Sequence, residues 1–218
     1  MTTMTRRPNI ARRKKLLGAA FELFKKKGYE ETTYQDIADA IGTTRTIVQS
    51  YFPKKTRITE EIFNDLMGAA YHSVGRIGLD SDSPLLTLSR ACHVFLAYLL
   101  HDEEMRHFAM TTLSVRDGTT KNIITDIEWI KDFCGDIFED EELLAVAYTM
   151  SLGGAYEIIY RCLCNDLPIH VGSLAALTIR LFLAVVGQPD LEEEELLTPI
   201  PDDQLEKCYS YIDRNLFK

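Results

Sequence analysis

Residues 12–53 carry the signals of three short helices that follow one another with little connecting chain. In the first, apolar residues recur at three- and four-residue intervals, which places them on one helical face. These residues are Leu16, Ala20, Phe21 and Phe24. Three lysines and Gly28 follow, a combination typical of a helix C-terminus because cations offset the helix dipole and glycine adopts a left-handed conformation.

The second helix begins after Thr33. Asp36 stands three residues later, where its carboxylate can bond back to the Thr33 backbone, so the sequence predicts a capping box. Gly42 then provides a left-handed turn. Thr43 or Thr44 caps the third helix.

The third helix carries Ile47, Val48, Tyr51 and Phe52 on its inner side and ends at Pro53. Two short helices joined by a glycine-containing turn are typical of a helix-turn-helix, in which the second helix enters the major groove of DNA. The spacing therefore predicts a recognition helix at about 44–52.

Charge is distributed unevenly along the chain. Residues 1–60 contain 13 of the 24 Lys and Arg residues but only 6 of the 33 Asp and Glu residues. The net charge of −9 thus combines a basic first quarter with an acidic remainder. This asymmetry is expected when one end of a protein faces a polyanion.

The rest of the sequence indicates helices throughout. The pattern from Ile58 to Val74 predicts one long helix, and Ser83 with Pro84 starts a new one after a polar break. Further helices are expected at 84–100, 102–114, 120–134, 141–164 and 168–186, with an amphipathic helix at 203–217. We therefore expect an all-α fold with a helix-turn-helix domain at 1–54, a connecting helix at 55–78 and a larger helical domain at 79–218.

Over about residues 10–62 the chain resembles the tetracycline-repressor (TetR) family. The matching segments are 16–24 (LLGAAFELF), 27–33 (KGYEETT), 36–38 (DIA), Gly42 and 51–55 (YFPKK). The resemblance implies a transcriptional regulator, usually a repressor, that binds a palindromic operator in double-stranded DNA as a homodimer. It also implies that the larger domain binds a small-molecule inducer, which releases the DNA by moving the connecting helix.

Two positions depart from the usual family pattern. Thr46 stands where glycine is frequent, and Gln49 stands where the family usually has a tyrosine that contacts the DNA backbone. Because a glutamine amide can pair with adenine, we hypothesise that Gln49 reads a base.

Candidate DNA contacts come from three places. The first turn of the recognition helix offers hydroxyls and the guanidinium of Arg45, whose fork matches the two acceptors of guanine. Phosphate contacts are expected near the helix ends, and a basic N-terminal arm can follow the DNA backbone. Capping, packing or a solvated tail are the alternative roles. The candidates are Arg6, Arg7, Arg12, Arg13, Thr32, Thr33, Thr43, Thr44, Arg45, Thr46, Gln49, Ser50, Tyr51 and Lys55.

Small residues in the helices at 141–164 and 168–187 favour close packing across a homodimer seam, with packing inside one chain as the alternative. They are Gly153, Gly154, Gly172, Ser173, Ala175 and Ala176. Aromatic residues are candidates for an inducer cavity, although such residues also form ordinary cores. They are Phe108, Trp129, Tyr148, Tyr156 and Tyr160, with Met105, Met110 and Met150.

Other functions have less support. The chain has no P-loop, nucleophile elbow or His-Glu-x-x-His motif, so we predict no enzyme, no catalytic residues, and no cofactor or metal. His101 and His107 flank acids that suit a helix start better than a metal site. No segment reaches ~18 uncharged apolar residues, so we expect a cytoplasmic protein without a membrane partner. The five cysteines leave redox control, or no ligand control, as alternatives.

Overall fold

In a computed structural model of the chain, residues 9–115, 140–187 and 198–218 are described, and every regular element in these ranges is an α-helix. The all-α prediction is confirmed for this part of the chain. In chain order the helices are α1 Ile10–Lys27, α2 Tyr34–Ala40, α3 Arg45–Tyr51, α4 Lys55–Arg76, α5 Pro84–Tyr98, α6 Glu103–Leu113, α7 Glu141–Cys164, α8 Val171–Val185 and α9 Asp202–Asn215. The expected helix at 120–134, together with Trp129, Arg6 and Arg7, lies outside the described residues.

The ends of the first three helices match their sequence signals. Gly28 ends α1 with a φ of +82°, and Gly42 follows α2 with a φ of +65°. Thr33 and Asp36 form the predicted capping box at the start of α2. Thr44, rather than Thr43, caps α3 by accepting a hydrogen bond from the backbone N–H of Ile47 at 3.4 Å.

The start of α8 differs from the sequence prediction. Pro168 suits a first helical position, but α8 begins at Val171. The chain must reverse direction after α7, and it does so with Asp166 at a φ of +50° and a hydrogen bond from Leu167 N to Cys162 O. The turn between α7 and α8 therefore includes residues 168–170, which the sequence analysis assigned to the helix.

The core follows the long helix α4, which is buried along one side for its whole length. The predicted apolar stripe accounts for this, since each member is at most 1% exposed: Ile58, Ile62, Leu66, Ala70 and Val74. Helix α5 packs along α4, and α8 lies against both α5 and α7. Helix α9 crosses α4 and α5. The connecting helix is thus part of the core of the larger domain.

Helix α6 joins the N-terminal helices to this core. Phe108 of α6 is fully buried between Phe21 of α1, at a ring distance of 5.1 Å, and Phe63 of α4, at 5.6 Å. The backbone N–H of Tyr29 donates to Thr111 Oγ1 at 3.3 Å. The turn after α1 is therefore held directly against α6.

A second long-range contact holds the segment 198–200 on the core. The backbone N–H of Ile200 donates to Nδ1 of His93 in α5 at 3.2 Å. A Cβ placed on Gly172 of α8 would lie only 3.1 Å from Pro199. Burial lowers the pKa of His93, against the opposing charge of Asp202. The neutral imidazole is therefore the form that accepts the Ile200 bond.

We expect Gly28→Ala to destabilise the protein more than Gly42→Ala. Both residues have a positive φ, which costs a non-glycine residue about 1–2 kcal/mol. The ψ of 166° at Gly28 also lies in a region that is essentially restricted to glycine. A Cβ at Gly28 would also lie 3.0 Å from Thr111 Cγ2, whereas nothing lies within 4 Å of one at Gly42. Urea unfolding of the two variants measures the difference. Equal losses in the free energy of unfolding would mean that Thr111 of α6 does not clash with a Cβ at position 28.

The His93 contact predicts a pH dependence of stability. Because the pKa of His93 is lowered from 6.5 in the folded protein, the unfolded chain binds the proton more readily. The stabilisation is present above pH 6.5 and is lost as the pH falls through the folded-state pKa. His93→Asn keeps an acceptor for Ile200 but removes the titration. Urea unfolding at several pH values gives the free energy of unfolding of the wild type and of His93→Asn. The difference between the two should shrink as the pH falls. A difference that stays constant with pH would contradict this prediction.

Candidate nucleic-acid interface

Helix α3 turns a polar surface to solvent. Its inner side is anchored by Val48, which is fully buried, as is Phe52 directly after the helix. Its outer side carries five of the predicted DNA-contacting residues, all exposed: Thr44, Arg45, Thr46, Gln49 and Ser50. Thr43, in the turn before them, is partly exposed. The structure therefore brings the predicted base-reading residues together on one accessible surface.

Helix α2 and the turn after it hold α3 in place. Ile37 and Ala38 are fully buried, and the backbone N–H of Thr43 donates to Ala38 O at 2.9 Å. The Tyr34 hydroxyl donates to the carbonyl of Phe52 at 2.9 Å, which ties the start of α2 to the end of α3. Both ends of the recognition helix are thus bonded to its neighbour.

The start of α2 is occupied by its own cap. The Asp36 carboxylate accepts hydrogen bonds from both the backbone N–H and the hydroxyl of Thr33, each at 2.7 Å, and lies 3.0 Å from Lys27 Nζ. The backbone bond, with the hydroxyl and Lys27, lowers the pKa of Asp36 to about 2. A carboxylate therefore stands beside the helix start where a phosphate was expected, and the Thr33 hydroxyl serves the cap.

Two residues expected to contact phosphates instead hold the turn between α1 and α2. Thr32 is fully buried, and its hydroxyl donates to Gly28 O at 2.8 Å. Lys55 Nζ donates to the carbonyls of Tyr29, Glu30 and Thr32 at 2.7, 3.3 and 3.1 Å, which occupies its three protons. Burial also lowers the pKa of Lys55. Sequence alone could not reveal these roles, because the three carbonyls converge only in the folded turn.

Arg12 and Arg13, the arm candidates that the structure describes, differ in their exposure and in their contacts. Arg13 is half-buried, with Nε 2.8 Å from Glu61 of α4, Nη1 3.2 Å from Tyr51 O and its guanidinium 4.4 Å from the Phe52 ring centre. The Tyr51 hydroxyl accepts from the backbone N–H of Asn9 at 3.2 Å. Arg13 thus ties α1 to α3 and α4. Arg12 is exposed and remains accessible to DNA.

The predicted inducer residues lie in and beside an aromatic cluster. Phe108 is fully buried, and the Tyr156 ring lies 5.6 Å from Phe63 and 6.2 Å from Phe95. Tyr148 and Tyr160 pack against the core from α7 and are partly buried. The expectation that Met150 lines a cavity is wrong, because its side chain is 51% exposed.

An apolar surface is exposed on α7 and α8, the two helices predicted to form a dimer seam. Large apolar residues there are 36–59% exposed: Leu143, Val146, Met150 and Ile158 on α7, and Leu177 and Leu181 on α8. A Cβ at Gly153 or Gly154 would meet nothing within 4 Å. Gly172 and Ala175 instead pack inside the chain, near Pro199 and in the core.

The histidines and cysteines do not converge on a metal site in the described ranges, which hold no group of three candidate ligands. His101 stacks on Tyr98 at 4.7 Å, and its Nε2 lies 2.9 Å from Asp102. Burial raises the pKa of the Cys92 thiol to about 12 and makes it unreactive.

By length and composition, one described helix, α7, could cross a membrane. In this fold, α7 packs against α6 and α8.

We expect Lys55→Met to lower the free energy of unfolding by about 1–3 kcal/mol, because three carbonyls lose a charged donor. Lys54→Met is the matched control, since the neighbouring Lys54 is exposed and makes no capping hydrogen bond. Urea unfolding should therefore show a clear loss only for Lys55→Met. Similar values for the two variants would mean that the Lys55 bonds to the turn contribute little.

Comparison with known proteins places the N-terminal helices in a family. The family model of bacterial regulatory proteins of the tetR family matches residues 16–62. The HTH-type transcriptional repressor KstR2 of Rhodococcus jostii (strain RHA1) is 31% identical over 105 residues, which are 44% of this chain and 51% of that protein. The match therefore spans about half the length of this curated relative.

Two solved structures of bacterial regulators are also similar to this chain. The fatty acid degradation regulator FadR from Bacillus halodurans has a TM-score of 0.48 and 16% identity, with 84% of this chain and 97% of that chain covered. NalD, the secondary repressor of the MexAB-OprM multidrug efflux pump in Pseudomonas aeruginosa, has a TM-score of 0.42 and 21% identity, with 81% and 94% covered. The sequence match covers α1 to α3 and the start of α4: residues 16–62 of this chain are similar to the DNA-binding segment of the tetR family of bacterial regulatory proteins.

Proposed function

We propose that this protein is a transcriptional repressor that binds a palindromic operator as a homodimer and leaves it when a small-molecule inducer binds. The match of residues 16–62 to the tetR-family model supports a DNA-binding regulator. The observation that carries the proposal is the surface of α3, where polar side chains are exposed while the opposite side is anchored in the domain. A matching relative is a transcriptional repressor.

On DNA, the exposed side of α3 lies in the major groove. Arg45 pairs with the two acceptors of a guanine, and Gln49 pairs with an adenine through its amide. Thr43, Thr44, Thr46 and Ser50 supply hydroxyls to bases or phosphates. Tyr51, Arg12 and the arm residues Arg6 and Arg7 follow the backbone. Arg13, Lys55, Thr32 and Thr33 support this surface from within the domain, through the contacts described above.

The homodimer forms through α7 and α8. Exposed large apolar residues that gather on two neighbouring helices often mark a contact surface, and a two-fold pairing of identical helices would bury them. The six exposed apolar residues on α7 and α8 support this pairing. The open space over Gly153 and Gly154 allows a partner helix to approach closely.

Inducer binding occurs in the larger domain, for which we propose the boundaries 79–218. Residues 1–54 form the DNA-binding domain, and 55–78 connect the two. The proposed inducer contacts are Phe108, Trp129, Tyr148, Tyr156 and Tyr160. Phe108 touches Phe63 of α4, so a ligand that favours another position of α6 also biases α4. In the induced state, α4 separates the two recognition helices beyond the groove spacing.

Selection from a randomised double-stranded DNA library, followed by affinity measurements at several salt concentrations, tests the proposal. The enriched sites should be palindromic, with half-sites about one helical turn apart. Affinity should fall steeply as salt rises, because phosphate contacts release counterions. Sedimentation should show a dimer with and without DNA. A monomer, or the absence of any enriched sequence, would refute the proposal.

We expect Arg45→Ala to weaken binding to the selected operator by about 1–3 kcal/mol and to relax the preference at one base pair per half-site. Arg106→Ala is the matched control, because Arg106 is also an exposed arginine on a helix but lies on α6. Fluorescence anisotropy with the operator and with single-base variants gives both quantities. A uniform loss on all sequences would assign Arg45 to a phosphate instead.

A further inference from the structure

Helix α9 is firmly attached to the larger domain. Its inner stripe, Leu205, Cys208, Tyr209 and Ile212, is buried. Asp213 accepts a hydrogen bond from the Tyr98 hydroxyl of α5 at 2.6 Å, and α9 packs against α4. The position of the end of α9 is therefore set by α4 and α5.

The chain turns sharply directly after α9. Leu216 N donates to Ile212 O at 2.8 Å, and Lys218 N donates to Asn215 O at 3.2 Å. Between them, Phe217 has a φ of +61°. This left-handed conformation is unfavourable for a bulky residue and persists only where surrounding contacts compensate for it. Side-chain contacts of Phe217 are one source of this compensation, beside the backbone bond of Lys218.

Those contacts are with α1 of the DNA-binding domain. The Phe217 ring meets the Phe21 ring edge-on at 5.7 Å. A Cβ placed on Gly18 would lie 3.7 Å from Phe217 Cδ2, and the Lys14 ammonium donates to the Lys218 carbonyl. Lys14, Gly18 and Phe21 are four and three residues apart, so they form one side of α1. The turn after α9 is thus seated along this side.

The contact between Phe217 and Phe21 adds a fourth ring to a series of aromatic contacts that links α1, α6 and α4. Phe21 also meets Phe108 of α6, which stacks on Phe63 of α4. Helix α1 in turn packs against α2, whose Tyr34 bonds the end of α3. Two supports from the larger domain, α6 and the turn after α9, therefore meet α1 at Phe21, and α1 positions α3 through α2.

We propose that Phe217 is a positioning residue for the DNA-binding domain. By holding the Lys14–Phe21 side of α1 against the end of α9, it fixes the orientation of α1 and so of α3. Fixing this orientation before DNA binding reduces the ordering cost of association and strengthens the complex. The effect on DNA rests on the proposed function, whereas the effect on α1 does not.

Phe217→Gly is the direct test in the full-length chain. Glycine adopts the positive φ without strain, so this variant removes the ring and keeps the turn. Phe217→Tyr is the conservative variant, since the side chain is only partly buried. From the other side, Gly18→Leu displaces the Phe217 ring. Gly18→Ala is its control, because a Cβ at 3.7 Å is an ordinary contact.

Two measurements decide the proposal. In Phe217→Gly and Gly18→Leu, amide hydrogen exchange in residues 14–21 should accelerate by about fivefold or more, because local opening becomes easier. The Kd for the selected operator should rise by about threefold or more through lost preorganisation. Phe217→Tyr should match the wild type in both. Gly18→Ala should exchange no faster than the wild type, because alanine favours the helix more than glycine does, and it should keep the wild-type Kd.

Unchanged exchange in α1 overturns the proposal. Faster exchange with an unchanged or lower Kd also overturns it, since Phe217 would then be a packing residue only. If the wild-type chain enriches no DNA sequence, the proposed function fails. The exchange measurement still decides whether Phe217 holds α1.

Discussion

The ring of Phe108 lies between Phe21 of α1 and Phe63 of α4, fully buried. Such ring pairs contribute about 0.5–1.5 kcal/mol each beyond the area that they bury. Because the three rings stand on three different helices, they make α6 the common support of the DNA-binding helices and of α4. A small displacement of α6 would shift both contacts together, which is why we place inducer control there.

Part of the positive charge in the first quarter of the chain stabilises the fold. Arg13 bonds Glu61 and covers Phe52, and Lys55 holds three carbonyls of the turn after α1. Asp36 adds a negative charge at the start of α2. The accessible surface of α3 therefore has one cation, Arg45, among hydroxyls and an amide. This composition favours base reading by α3, with phosphate contacts from the arm.

Apart from the start of α8, helix ends were predicted well because each depends on a few neighbouring residues. The capping box of Thr33 and Asp36, the positive φ of Gly28 and Gly42, and the start of α5 at Pro84 all agree with the sequence signals. The α3 surface followed from the same local pattern. Side-chain roles depended on the fold: the structure packs Thr32 and Gly172 inside the chain, which is the alternative that the sequence left open, and leaves Met150 exposed.

The sequence by itself determined the helices, their caps, the order of the elements and the family of the N-terminal domain, since these depend on residues three or four positions apart. Only the tertiary structure decided which polar groups of the N-terminal helices are exposed and which hold the fold. Those partners are distant in the chain: Lys55 bonds Tyr29 across 26 residues, Tyr29 bonds Thr111 across 82, and His93 bonds Ile200 across 107. No local pattern encodes such pairs, because they form only when the packed helices bring them together.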